Sequence, residues 1–137
     1  MSSLLLRTAI ALVLVFAIAC RSPTDAGGLR IVPEHETFVL STSHSVVVHY
    51  SATNASSSAV MLWNTCGLDL NPGVERASIG DWTEYSGGTC SGDAPNVLSL
   101  ARGETRVDSL SLFESGTYRL VIPTDRGVAT SPGFRVE

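Results

Sequence analysis

The fold class is decided by the stretch Ser45-Val46-Val47-Val48-His49-Tyr50-Ser51-Ala52-Thr53. Two sets of side chains alternate along it, namely Val46, Val48, Tyr50 and Ala52 on one side and Val47, His49, Ser51 and Thr53 on the other. Successive side chains of a β-strand point to opposite faces of the sheet, whereas an amphipathic helix repeats about every 3.6 residues. The stretch therefore predicts a β-strand with one face in the core.

The segment after this strand predicts a turn and a returning strand. Small polar residues fill positions 54–58, and in the strand predicted at 59–66 Val60 and Leu62 alternate with Met61 and Trp63. Alternating runs separated by turn formers are typical of β-hairpins. We therefore expect the strands at 45–53 and 59–66 to pair with each other.

From residue 29 onward, the rest of the chain repeats this pattern of short runs broken by Gly, Pro, Asn or Ser. Phe38 and Leu40 supply the first predicted strand, and others are predicted at 74–79, 82–86, 97–101, 104–112, 116–122 and 134–136. Gly80-Asp81, between the strands at 74–79 and 82–86, is typical of a two-residue hairpin turn. About seven or eight short antiparallel strands predict a two-sheet β-sandwich.

One local motif resembles the tyrosine corner of immunoglobulin domains: Leu112-Phe113-Glu114-Ser115-Gly116-Thr117-Tyr118-Arg119-Leu120. In that corner, a turn precedes a Tyr whose hydroxyl hydrogen-bonds back to the backbone. The resemblance implies an Ig-like sandwich in which Tyr118 closes the corner. Leu120 stands where an antibody domain has its second Cys, so the inter-sheet disulfide of antibodies is not expected.

A wider set of motifs is similar to the Ig-like domains of the BsuPI intracellular proteinase-inhibitor family. The matching pieces are the stretch 50–56, Cys66-Gly67, Arg102-Gly103-Glu104 and the stretch 116–122. The resemblance implies the same architecture and, as one candidate function, proteinase inhibition. None of the matching residues identifies an inhibitory loop, so the resemblance concerns mainly the fold.

The amino-terminal stretch 1–19 has the organisation of a signal peptide, with an early Arg7 and an apolar run that ends at Ala19. Phe16-Ala17-Ile18-Ala19-Cys20 resembles the lipobox of bacterial lipoproteins. The resemblance implies cleavage before Cys20, a diacylglycerol thioether on its sulfur and an acylated amino terminus. An ordinary secretory cleavage nearby and an uncleaved anchor helix are the alternatives.

A lipid anchor at Cys20 implies a domain held at a membrane of the bacterial cell envelope. Residues 20–28 are small, polar and rich in turn formers, so we expect a flexible tether there and the sandwich domain at 29–137. Arg21 stands where Asp resembles an inner-membrane retention signal in the best-known sorting systems. Its presence favours the outer membrane over the inner one.

Two cysteines besides Cys20 are present, Cys66 and Cys90. An exported chain passes through an oxidising compartment, so we expect these two to form a disulfide that contributes roughly 3 kcal/mol to stability. Free or regulatory thiols are the alternative. The sequence contains no Cys-x-x-Cys motif and no adjacent basic residue that would lower a thiol pKa.

Sequence motifs for catalysis, metal binding and nucleic-acid binding are absent. The 137 residues carry a formal charge of −4, and every one of the nine basic residues is Arg, which argues against a nucleic-acid partner. His35, His44 and His49 form no His-Glu-x-x-His pattern, and there is no Gly-x-Ser-x-Gly elbow and no calcium-binding loop. We therefore expect a non-enzymatic protein with no catalytic residue, metal site or cofactor.

Recognition is the remaining class of function. Trp63, Trp82 and Tyr85 lie in or beside the loop-rich stretch 65–95, and large aromatic side chains are common anchors of binding surfaces. The alternative is that Trp63 belongs to the core and Trp82 caps its hairpin. We expect a membrane-anchored envelope lipoprotein whose Ig-like module binds an envelope protein. A secreted or periplasmic BsuPI-like proteinase inhibitor and a carbohydrate or small-ligand binder are the alternatives.

Overall fold

The computed structural model describes residues 26–86 and 97–137, and this part of the chain contains a short 3-10 turn at Ala26–Gly28 and eleven β-strands. The strands are β1 Leu29–Pro33, β2 Thr37–Phe38, β3 Val46–Asn54, β4 Val60–Trp63, β5 Gly73–Ser78, β6 Asp81–Ser86, β7 Val97–Leu100, β8 Thr105–Leu112, β9 Gly116–Thr124, β10 Gly127–Thr130 and β11 Phe134–Val136. The predicted all-β class is confirmed. The predicted number of strands was too low, because β1 and the short β10 were not foreseen as separate strands.

Two sheets face each other. The smaller sheet has the order β1-β3-β8, and the larger one has the order β2-β11-β9-β4-β7, with the β5–β6 hairpin and β10 also attached through β9. The long strand β9 is the centre of the larger sheet, since it pairs with β4 and β5 along one edge and with β10 and β11 along the other. These pairings define the Ig-like sandwich.

The core lies between the inward faces of the two sheets. In β3 the alternation read from the sequence is confirmed, because Val48, Tyr50 and Ala52 are buried. Opposite them, β9 contributes buried Tyr118 and Leu120. Burying a side chain of Val or Leu size contributes about 1.5–3 kcal/mol, so these alternating positions supply the main driving force for closing the sandwich.

The hairpin expected between residues 45–53 and 59–66 is wrong. β3 pairs with β1 and β8 in the smaller sheet, whereas β4 pairs with β7 and β9 in the larger one. The connection crosses between the sheets around the buried side chain of Asn54, whose Nδ2 donates to Ser58 O at 2.8 Å and to Leu100 O at 3.0 Å. Asn54 Oδ1 accepts from Ser56 N at 3.0 Å. These bonds satisfy the backbone of a crossover, which a tight hairpin would not need.

The hairpin formed by β5 and β6 is confirmed, with its turn one residue earlier than expected. Ser78 pairs with Asp81, so Ile79 and Gly80 form the tip. Gly80 has a φ of 79°, a left-handed conformation that glycine adopts without steric strain.

The tyrosine corner is also confirmed. Tyr118 is fully buried, and its hydroxyl donates to Glu114 O at 2.8 Å. The bond fixes the turn between β8 and β9, so it ties the smaller sheet to the central strand of the larger one.

Candidate functional site

The three aromatic residues predicted as a contact surface do not share one face. Trp63 and Trp82 lie on the outer face of the larger sheet. Tyr85 lies on the inner face, where its ring packs edge-on against Tyr118 at a centroid distance of 5.2 Å. Trp82 and Tyr85 are three positions apart, and an odd spacing along a strand places side chains on opposite faces. The spacing of the two residues in the sequence therefore already indicated that Trp82 and Tyr85 lie on opposite faces.

Trp63 is not a core residue, contrary to the alternative considered from the sequence. Its neighbour Leu62 is fully buried, whereas 48% of Trp63 is exposed. The alternation of β4 accounts for this difference, because the even-numbered positions face the core and the odd-numbered positions face outward.

Trp63 lies in the middle of an exposed apolar row that crosses four strands. Trp63 pairs with Val97 of β7. On its other side, the antiparallel pairing of Leu62 with Thr124 places Trp63 opposite Pro123 of β9. Pro123 in turn pairs with Val128 of β10. We call Val97, Trp63, Pro123 and Val128 the Trp63 row. Val97 is 44% exposed and Val128 is 49% exposed. At about 4.8 Å between neighbouring strands, the row is roughly 14 Å long.

A charged cluster lies on the same outer face, farther along β9. Arg119 Nε donates to Glu75 Oε2 at 2.6 Å, and the Arg119 guanidinium lies 4.6 Å from the ring centre of Trp82. Arg119 and Pro123 point to the same side of β9 because their spacing is even. The carboxylate of Glu75 balances the charge of Arg119, so this cluster adds a compensated ion pair and an aromatic ring to the apolar face.

The outer face of the smaller sheet carries a second set of exposed apolar side chains. Val32 and Val107 are 43% and 74% exposed, and both are aligned with Ser51 of the middle strand. They border a shallow hollow of about 610 Å³. Its described lining residues include no Trp or Phe, and the Tyr50 among them is buried in the core.

A cleft of about 270 Å³ opens at the side of the sandwich, between β8 and the segment 66–74. We call it the Asp108 cleft. Asp108 Oδ2 accepts from Leu70 N at 2.9 Å, and its Oδ1 accepts from Ser109 N at 2.7 Å. Asp69 also lines the cleft, in a turn held by mutual backbone bonds with Cys66. The cleft therefore brings together two carboxylates.

Tyr50 forms the inner wall of the Asp108 cleft. Only 2% of its surface is exposed, and its buried hydroxyl lies beside the Asp108 carboxylate without a well-aligned hydrogen bond. Burial raises the pKa of the Tyr50 phenol, and the neighbouring carboxylates of Asp108 and Asp69 raise it further. The phenol is thus neutral at physiological pH. Sequence reasoning placed Tyr50 in the core but missed Asp108, which faces it across the β3–β8 pair.

The predicted cysteine and anchor sites fall mainly outside the described residues. Cys90, Cys20 and the stretch 1–19 are not described, so the Cys66–Cys90 disulfide and the lipid anchor stay predictions. The tether expected at 20–28 is described only from residue 26, where Gly27 O accepts from Arg126 Nη1 at 3.1 Å. In residues 26–86 and 97–137, no helix is long and apolar enough to span a bilayer, and no three His, Cys, Asp or Glu side chains gather as a metal site.

No protein-family model and no curated protein matches the chain. Among solved structures, the chain is similar to the ASH/PapD-like domain of human CEP192 (PapD-like domain 7), with 12% sequence identity and a TM-score of 0.37 over 84% of this chain and 86% of that chain. At this identity and TM-score, the likeness supports no conclusion about this chain's function. The structure confirms the Ig-like sandwich that the sequence motifs predicted. The lipid anchor implied by the lipobox and the BsuPI-like inhibitory function stay predictions.

Proposed function

We propose that this chain is a lipid-anchored envelope protein whose Ig-like sandwich is a non-enzymatic interaction module, and that it docks a protein partner on the Trp63 row. The observation that carries the proposal is the exposure of Trp63 at the centre of an apolar row across β7, β4, β9 and β10. Exposed contiguous apolar surface on a soluble domain marks interaction sites.

The composition of this face favours a protein as the occupant. Protein interfaces combine an apolar, often aromatic centre with a polar rim. Here, aliphatic side chains flank a tryptophan, and Ser99 and Thr130 lie at the next outward positions of β7 and β10. Tryptophan is among the residues most often found as an energetic hot spot, and truncating such a residue weakens binding by 2 kcal/mol or more.

The lipid anchor is supported by the lipobox-like sequence that ends at Cys20. Residues 26–28 form a turn held against the sandwich, so the part of the tether at 20–25 would reach at most roughly 20 Å when fully extended and would keep the sandwich close to the bilayer. We expect the intact mass of the envelope-extracted protein to show loss of residues 1–19 and addition of lipid. An unmodified Cys20 would refute the anchor and leave the docking surface to be tested on its own.

The docking surface is tested by introducing a photo-activated cross-linking residue at position 63 of the full chain in native envelopes. Position 107, on the outer face of the smaller sheet, is the matched control because Val107 is also exposed. We expect one protein to cross-link at position 63 and not at 107. After that protein is identified and purified, Trp63→Thr should weaken its binding by about 30-fold or more, and Val107→Thr should leave it unchanged.

Other occupants give different outcomes in the same experiments. A second copy of the chain cross-linked at position 63, or equal cross-linking at both positions, would overturn the proposed docking. A carbohydrate or small ligand on this face would instead quench the fluorescence of Trp63. A BsuPI-like inhibitor would slow a protease at stoichiometric concentration, and this result too would contradict the proposal.

A further inference from the structure

The Asp108 cleft contains two carboxylates and a buried hydroxyl for which the fold provides no well-aligned hydrogen bond. A buried polar group without a partner is rare in folded proteins and calls for a specific explanation. The Tyr50 hydroxyl is such a group, since it is buried, lines the cleft beside the Asp108 carboxylate and makes no well-aligned hydrogen bond. A phenol can donate one hydrogen bond and accept others, so it can bridge a carboxylate and an incoming N–H donor.

The charges around the cleft favour a cation. The carboxylates of Asp69 and Asp108 both line it, and no Arg or His is among its described lining residues. Bringing a positive group into this site gives charge-assisted hydrogen bonds, which are stronger than neutral ones.

Apolar side chains also line the cleft. Pro72, Val74 and Leu110 line it beside the carboxylates, and the first two of these are buried. A volume of about 270 Å³ is slightly below that of typical sites for drug-sized ligands, so it suits a single side chain or a small linear molecule. The cleft thus combines a negative, hydrogen-bonding end with a surface for a hydrocarbon chain.

We propose that the Asp108 cleft binds an alkylammonium group, a positively charged amine on an aliphatic stem, held by Asp69, Asp108 and the Tyr50 hydroxyl. The amine is carried either by a lysine side chain or by a free linear diamine. An ammonium has three N–H donors and therefore matches the three acceptors. Within the described residues, no three His, Cys, Asp or Glu side chains come together at this cleft. The cleft therefore offers fewer protein ligands than a divalent cation with six or more oxygen ligands requires.

This site is separate from the proposed docking surface. Val74 and Asp108 belong to the inward faces of β5 and β8, whereas the Trp63 row lies on the outer face of the larger sheet. Failure of one proposal therefore leaves the other standing.

The test is a calorimetric titration of the full-length chain in nonionic detergent. The probes are 1,5-diaminopentane, N-acetyl-lysine N-methylamide and the corresponding norleucine amide, which keeps the stem and lacks the charge. We expect saturable binding of at least one amine and none of the norleucine compound. Binding of the diamine alone identifies a free amine as the source, and binding of the lysine amide identifies a peptide side chain.

Substitutions at the three proposed ligands test binding, and Tyr50→Phe and Asp69→Asn are the two that leave the backbone bonds to Asp108 in place. Tyr50→Phe removes only a hydroxyl without a partner, so the fold is kept and amine binding should weaken about three- to tenfold. Asp69→Asn and Asp108→Asn should each weaken it about tenfold or more. Glu36→Gln is the matched control, because it removes one exposed carboxylate that does not line the cleft.

The proposal is overturned if neither amine binds or if the norleucine amide binds as well as the lysine amide. It is also overturned if Tyr50→Phe and Asp69→Asn bind the amine as tightly as the unchanged chain. Calcium chloride provides the last comparison, since saturable binding of calcium without binding of either amine would replace the proposed ligand class with a metal ion.

Discussion

The two buried tyrosines that line the core allow one chemical change to be made in two different environments. Tyr118→Phe removes a hydroxyl that donates to Glu114 O at 2.8 Å, whereas Tyr50→Phe removes a hydroxyl that makes no hydrogen bond. Both residues are almost fully buried, with 0% and 2% of their surface exposed. Both substitutions keep the ring and remove the same hydroxyl group, so a difference between the variants reports on the hydrogen bond.

The expected effects differ in size and sign. A hydrogen bond of the Tyr118 kind contributes about 0.5–1.5 kcal/mol, so Tyr118→Phe should lower the free energy of unfolding by about 1 kcal/mol. In a domain of this size that loss corresponds to a fall of about 4–8 °C in melting temperature. Tyr50→Phe should leave the free energy of unfolding unchanged or raise it by about 1 kcal/mol, because it relieves the burial of an unsatisfied polar group.

Urea titration followed by tryptophan fluorescence measures both variants. The midpoint should fall for Tyr118→Phe and should stay or rise for Tyr50→Phe, with the same dependence of the free energy on urea concentration in all three proteins. Equal losses in the two variants would show that the bond to Glu114 O contributes nothing beyond the packing of the hydroxyl oxygen. That result would refute the role assigned to the tyrosine corner.

Three further predictions concern stability. Burial raises the pKa of both Tyr50 and Tyr118 above the usual 10.0, so the unfolded chain loses these protons at a lower pH than the folded chain. The free energy of unfolding should therefore be at its full value below pH 10 and should fall above it by up to about 1.4 kcal/mol per pH unit for each tyrosine. Urea midpoints between about pH 8 and 11 measure this fall. Asn54→Ala should lower the free energy of unfolding by about 2–4 kcal/mol, since it leaves the crossover backbone unsatisfied, whereas a loss below 1 kcal/mol would show that water replaces the side chain. Cys66→Ser should lower the urea midpoint of oxidised protein by an amount equivalent to about 3 kcal/mol, and an unchanged midpoint would mean that Cys66 is not bonded to Cys90.

The sequence predicted which side chains face the core better than which strands pair. The alternation in β3 and β9 was read correctly because it depends only on the period of two along one strand. The partner of β3 was misassigned because alternation carries no information about neighbours, and the buried Asn54 that directs the chain into the other sheet looks like any turn residue in the sequence. β1 was missed because Gly27-Gly28 marked the preceding residues as a tether, although Leu29 and Ile31 alternate with polar or exposed positions.

The two surfaces with proposed roles could be foreseen to different degrees. Trp63 was a candidate, but the row around it depends on three pairings between strands that are far apart in sequence, and these are set by the tertiary structure. The Asp108 cleft had a local signal. Asp108 occupies the same face of β8 as Leu110 and buried Leu112, and a carboxylate beside two apolar inward positions is unusual unless a site uses it.

Tyr50 connects the stability of the fold to binding in the cleft. Without a ligand its hydroxyl is buried and unsatisfied, but a bound ammonium would give it a partner, so the same atom should destabilise the free protein and stabilise the complex. A ligand that binds the folded state raises the free energy of unfolding by about 2.7 kcal/mol at a concentration of 100 Kd. Adding a binding amine should therefore raise the urea midpoint of the unchanged chain more than that of Tyr50→Phe, although Tyr50→Phe starts at an equal or higher midpoint. An equal rise in both proteins would show that the amine binds without the hydroxyl, and the unsatisfied phenol would then be a defect of the core with no role in recognition.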